Sequence, residues 1–92
     1  MALTIKRFEI ISKALGDPNR IKILKAVKDQ ASIQCTDIFE MISLSQPAIS
    51  HHTKVLIEAG LLIPEKQGRN YKYTLDKEVL GEYMNFLAEI KG

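Results

Sequence analysis

Ser45-Gln46-Pro47-Ala48-Ile49-Ser50-His51-His52-Thr53-Lys54-Val55-Leu56-Ile57-Glu58-Ala59-Gly60 is the stretch on which the fold turns. The Ser45 hydroxyl is suited to capping a helix, Pro47 falls in the first turn where a missing N–H is tolerated, and Gly60 closes the segment. At about 100° per residue, Ala48, Ile49, His52, Val55, Leu56 and Ala59 share one arc. Pro47, Ser50, His51, Lys54 and Glu58 share the other, with Gln46, Thr53 and Ile57 at the border. The spacing predicts an amphipathic helix to about Ala59, with Leu44 and Ile49 placed as a hydrophobic staple.

On the upstream side, Thr36 or its neighbour opens a brief helix through Ile42, with Asp37 and Glu40 near its positive end and a break at Ser43-Leu44. Two helices joined so tightly form a helix-turn-helix. On the downstream side the period changes to two: Leu61 to Lys66 and Tyr71 to Leu75 read as strands around the turn Gln67-Gly68-Arg69-Asn70, a hairpin placed as a wing. Tyr71 and Tyr73 alternate with Lys72 and are expected to pack on one face of it.

Farther out, Thr4 caps a first helix carrying Ile5, Phe8, Ile11, Ser12 and Leu15, stapled by Leu3 and Phe8 and ended by Gly16. Asp17-Pro18 starts a second helix with Ile21, Leu24 and Val27 as its buried stripe. A short extended piece is expected near Ser32 to Gln34. Asp76 caps a last helix with a wide apolar face of Val79, Leu80, Tyr83, Phe86, Leu87 and Ile90. The expectation is a mainly α winged helix-turn-helix of order α-α-α-α-β-β-α, with residues 1–92 forming a single domain.

Composition bounds the function. The 92 residues are 46% hydrophobic and 26% charged, which suits one folded domain and excludes a disordered chain or a multidomain enzyme. Apolar runs fall far short of the ~20 residues of a membrane helix. Met1 to Lys13 puts Lys6 and Arg7 inside an amphipathic pattern without a signal core, so a cytoplasmic location away from membranes is expected. Cys35 is the single cysteine, which excludes an internal disulfide, and no Cys/His cluster forms a zinc cage; no metal or cofactor is expected. No motif juxtaposes a nucleophile, a base and an orienting group, so an enzyme is not expected.

The formal net charge of +2 is too small to announce a nucleic-acid partner, but it is unevenly placed. Lys54, Lys66, Arg69 and Lys72 outweigh Glu58 and Glu65 in the middle of the chain, whereas residues 76–92 are acidic. The outward face of the helix after Ser45 offers Ser45, Gln46, Ser50, His51 and Lys54, groups suited to base edges and phosphates of double-stranded DNA. Such residues also make up an ordinary solvated face. Arg69 and Asn70 at the wing tip, between Lys66 and Lys72, suit a minor groove or phosphate clamp; Gly68 and Asn70 also supply turn geometry, which does not demand Arg69. His51 and His52 diverge by about 100° and do not easily share a metal, so His52 is read as a packed, hydrogen-bonded histidine and His51 as outward. The broad stripes of the first and last helices favour a homodimer over a simple intrachain core, with two reading helices ~34 Å apart on a near-palindromic operator.

Ala14-Leu15-Gly16-Asp17-Pro18-Asn19-Arg20, Leu44 to His52, Glu58-Ala59-Gly60-Leu61-Leu62 and Gly68-Arg69-Asn70-Tyr71-Lys72-Tyr73 together resemble the ArsR/SmtB family of prokaryotic winged-helix repressors. The resemblance spans most of the chain and implies a cytoplasmic homodimer that occupies a promoter and releases it on a signal. It also implies that Gln46, Ser50 and His51 meet DNA. Thr53 stands where the family commonly has leucine, which suggests slightly looser packing. The family's thiolate sites for soft metals match Gln34, Thr36 and Phe39 here, and Cys35 between them offers one sulfur. Its zinc and nickel sites use histidines of the last helix, and residues 76–92 contain none. The leading expectation is thus a sequence-specific DNA-binding repressor without the usual metal ligands and with no assigned effector. A metal-responsive repressor using His51 or Cys35 with carboxylates is one alternative; a winged-helix module for protein contacts is another.

Overall fold

Every helix start but that of the short helix Cys35–Met41 is fixed by a side chain that answers an otherwise unpaired backbone N–H. The computed structural model describes residues 3–29 and 33–92. Thr4 accepts from the Arg7 N–H (3.1 Å) at the head of α1 (Ile5–Leu15), and Asp17 Oδ1 accepts from Asn19 (2.8 Å) and Arg20 (3.3 Å) at the head of α2 (Pro18–Asp29). Ser45 accepts from Ala48 (3.3 Å) to open α4 (Gln46–Glu58), and Asp76 from Val79 (3.2 Å) to open α5 (Lys77–Lys91). Partial desolvation raises the Asp17 pKa, but the hydrogen bonds from Asn19 and Arg20 and the electrostatic influence of the nearby His52 and Arg20 side chains outweigh it, leaving the carboxyl below its ordinary value. The stability this group contributes is therefore present above its unfolded pKa and lost as pH falls through the lowered one.

The remaining elements are β1 (Ile33–Gln34), α3 (Cys35–Met41), β2 (Leu62–Gln67) and β3 (Asn70–Leu75). The expected α-α-α-α-β-β-α order is present, and β1 adds a third strand to the wing. The sheet order is β1-β3-β2, with Ile33 opposite Tyr73 and Leu62 opposite Leu75. The Ser32 end of the expected extended piece and Met1 lie outside the described residues.

Ile11 and Ala14 of α1, Ile23 and Val27 of α2, Ile38 of α3, Ile49 and Leu56 of α4, and Ala59 and Leu61 after it form the centre of the core. Three local features differ from the expectation. The buried stripe of α2 is Ile23, Ala26 and Val27; Ile21 lies at the surface and Leu24 packs only partly. Thr53 is buried rather than at the border, and its hydroxyl donates to the Ser50 carbonyl (3.0 Å), so a threonine sits there without an unpaired polar group. Gly16 ends α1 with φ −83°, not in the left-handed conformation of a glycine stop. Its N–H donates to the Lys13 carbonyl (3.2 Å), and Arg20, from the next element, also reaches the last carbonyls of that helix.

Gly60 does use its freedom, at φ +79°. A Cβ there would also stand 3.0 Å from an Arg7 guanidinium nitrogen. Gly60→Ala is therefore expected to lower stability by about 1–2 kcal/mol, the left-handed cost for an L-residue, read as a lower midpoint in urea. An unchanged midpoint would show that the turn after α4 relaxes freely.

Candidate nucleic-acid interface

Helix α4 buries one side and leaves the other in solvent. Ile49, Thr53 and Leu56 are buried, whereas Gln46, Pro47, Ser50, His51, Lys54 and Glu58 are exposed. The structure thus brings Ser45, Gln46, Ser50, His51 and Lys54 together at the cap and along the outward face of one helix. Lys54 Nζ lies 4.0 Å from Glu58 Oε1, with both side chains mostly exposed, a pairing weak enough for a phosphate to compete with.

Arg69 and Asn70 stand on a different element, the hairpin. Gln67 pairs with Asn70, so the loop is only Gly68-Arg69, and Asn70 is the first residue of β3 rather than part of the turn. Gly68 has φ +62°, the requirement of a tight two-residue hairpin. Arg69 is exposed at its tip, and Lys66 on β2 is exposed near it. Of the two tyrosines, Tyr73 is buried and anchors the sheet while Tyr71 is half-exposed.

His52 faces inward, as its position on the apolar arc predicts, and is half-buried with its Nδ1 3.3 Å from Arg20 Nη1. Its ring centre is 5.8 Å from that of His51, and the two planes are tilted by 54°. Among the described residues no three His, Cys, Asp or Glu side chains gather as a metal-binding group. Arg20 and Arg7 escape a reading of the sequence by faces. Arg7 Nη2 donates to the Ala59 carbonyl at the end of α4 (2.8 Å), a contact 52 residues away in the chain. The only sequence signal was the place of Arg20 directly after Asp17-Pro18-Asn19, close to the end of a preceding helix.

Residues 17–63 match the family described as bacterial regulatory protein, arsR family. The chain is 35% identical over 83 residues to the arsenical resistance operon repressor of Staphylococcus xylosus, covering 90% of this chain and 78% of that protein. It is 34% identical over 77 residues to the transcriptional repressor SdpR of Bacillus subtilis, covering 84% of each. A crystal structure of an ArsR family transcriptional regulator superposes with a TM-score of 0.88 over 99% of this chain and 93% of the other, at 24% identity, a likeness of fold. With the helix-turn-helix inside the matched residues and the wing directly after them, the chain belongs to the arsR family of bacterial regulatory proteins and is a winged helix-turn-helix DNA-binding transcriptional regulator, not an enzyme.

Proposed function

We propose that the chain is a cytoplasmic, homodimeric transcriptional repressor that sets α4 of each protomer into a major groove of a near-palindromic operator. Ser45 and Gln46 at the helix start, Ser50 and His51 in its middle and Lys54 beyond them make the base and phosphate contacts; Arg69 and Asn70 of the wing hold the flanking backbone or minor groove. The observation that carries this reading is the division of α4, whose polar row stays in solvent while Ile49, Thr53 and Leu56 anchor the other side. The repressors to which the chain is similar support the direction of the control.

The dimer rests on apolar surface that one chain leaves uncovered. Phe8 of α1 stacks on Tyr83 and Phe86 of α5 at 4.8 and 4.3 Å, and Ser12 and Tyr83 share a 2.9 Å hydrogen bond, so the terminal helices pair within the chain. Beyond that pairing, Ile5 is 77% exposed, Met84 62% and Ile90 67%. No residue of α5 is buried. A second copy is the partner of matching chemistry, since terminal helices related by a two-fold axis cover each other.

Selection of bound sequences from random duplexes by the purified protein tests the reading. Enrichment of two inverted half-sites about one helical turn apart is the expected result. Failure to enrich any sequence would overturn it. On the enriched duplex, Arg69→Ala should weaken binding several-fold and reduce the steepness of log K against log salt by about 1, as expected for a lost phosphate contact. A full salt slope in that variant would remove Arg69 from the backbone contacts.

A further inference from the structure

The end of α1, the start of α2 and the middle of α4 meet at one side chain. Arg20 Nε donates to the Ala14 carbonyl at 2.7 Å and Nη2 to the Lys13 carbonyl at 3.2 Å, both in the last turn of α1. Its third nitrogen, Nη1, lies 3.3 Å from Nδ1 of His52 on α4. A guanidinium only donates, so this last bond forms with an unprotonated Nδ1. The planar fork is held from behind as well: the Arg20 backbone N–H is bound by Asp17 Oδ1, which also caps α2. Arg20 therefore answers the Ala14 carbonyl at the helix end and shares the Lys13 carbonyl with the Gly16 N–H, which donates to it at 3.2 Å.

His52 is adjacent to His51 and two residues from Ser50, both on the outward face of α4. Apolar packing of Ile49 and Leu56 resists removal of α4 from the core, yet it is non-directional and allows the helix to roll or slide by small amounts. Directional bonds are what fix such an element to within the tolerance of base recognition. Arg7 supplies one at the far end of α4, through the Ala59 carbonyl. Arg20 supplies the other in the middle, directly behind the reading face.

We propose that Arg20 is the positioning residue of the DNA-reading helix: through one guanidinium it ties His52 of α4 to the carbonyl end of α1 and so sets the angle at which α4 is presented. This rests on the reading of α4 as the groove-binding helix. In that role Arg20 touches no nucleotide, and its loss changes discrimination between sequences more than general attraction to DNA.

The test compares Arg20→Gln, Arg20→Lys, His52→Phe and His52→Asn in the full chain. Binding is measured to the duplex enriched by the unaltered protein and to a scrambled duplex of the same length and composition. Arg20→Gln should lose on the order of 10-fold on the enriched duplex and less than about 2-fold on the scrambled one. Arg20→Lys replaces a three-way fork with a single ammonium and should fall in the same way. His52→Phe should match Arg20→Gln, with the double variant no worse than either, because both remove one link. His52→Asn keeps an acceptor in the Nδ1 position and should retain the discrimination. Residual dipolar couplings of α1 and α4 amides, recorded without DNA, should report a changed angle between the helices in Arg20→Gln and Arg20→Lys and an unchanged one in His52→Asn. A loss that is equal on both duplexes, or an unaltered inter-helix angle, overturns the proposal. If the unaltered protein enriches no duplex, the DNA reading of α4 fails while the couplings still decide whether Arg20 sets its angle. Should Arg20→Gln not fold, Arg20→Lys and His52→Phe carry the same decision.

Discussion

Ser50→Glu is expected to reduce affinity for the enriched duplex by about 100-fold or more while leaving the folded protein as stable as before. Ser50 is exposed midway along the outward face of α4, between Gln46 and Lys54. In the proposed docking a carboxylate there faces the phosphate walls of a groove, and like charges brought together across an interface cost several kcal/mol. It also stands four residues before Lys54, the favourable order for an ion pair on a helix, so it draws that cation away from DNA while supporting the helix itself. Helix propensity of glutamate is no worse than that of serine. The two readouts therefore separate: titration of a labelled duplex at fixed salt should show the loss, and thermal unfolding should show none. Retained affinity would mean that α4 does not enter the groove on this face. Loss of both affinity and stability would mean that Ser50 supports the fold instead.

The division of α4 was legible because a helix converts a period of 3.6 residues directly into faces, and Ile49 and Leu56 fall two turns apart on the arc that is buried. The hairpin was legible for a similar reason: Gly68 at the turn and alternation around Tyr73 define register locally. Position within a stripe was less so. Ile21 and Ile23 are both apolar, and which of them turns inward on α2 depends on where α1, α4 and the sheet sit, not on the spacing within α2. The extended piece ending at Gln34 was legible, but its place as a third strand of the wing was not, because Ile33 and Gln34 pair with Tyr73 and Lys72 nearly forty positions later. Arg7 and Arg20 escaped for the same reason. A charged residue on a helix reads as solvated until the carbonyl that it reaches is known, and Arg7 reaches one 52 residues away. The candidate DNA face, made of consecutive turns of one helix, could be read from sequence; the bonds that aim it are long-range and could not.

Ile90→Glu, and separately Ile5→Glu, should convert the protein from a dimer to a monomer and cost about 100-fold or more in affinity for a full two-half-site duplex. Ile90 lies one turn beyond Phe86 on α5, and Ile5 one turn before Phe8 on α1, so each continues the stacked aromatic contact between the terminal helices. Both are mostly exposed in the single chain, at 67% and 77%, and a glutamate at either place meets solvent in a monomer. In a dimer it would be driven into an apolar contact, where an unpaired carboxylate is strongly unfavourable. The consequence for DNA follows from tethering. Two linked reading helices turn the second half-site contact into an intramolecular step worth about 100- to 10,000-fold in avidity. A monomer forfeits that gain and keeps its affinity for an isolated half-site. Sedimentation equilibrium should accordingly give about twice 10.4 kDa for the unaltered chain and the single-chain mass for each variant. A variant that still sediments as a dimer would place the two-fold contact on another surface. A monomeric unaltered chain that binds the full duplex no more tightly than a half-site would remove the dimer altogether.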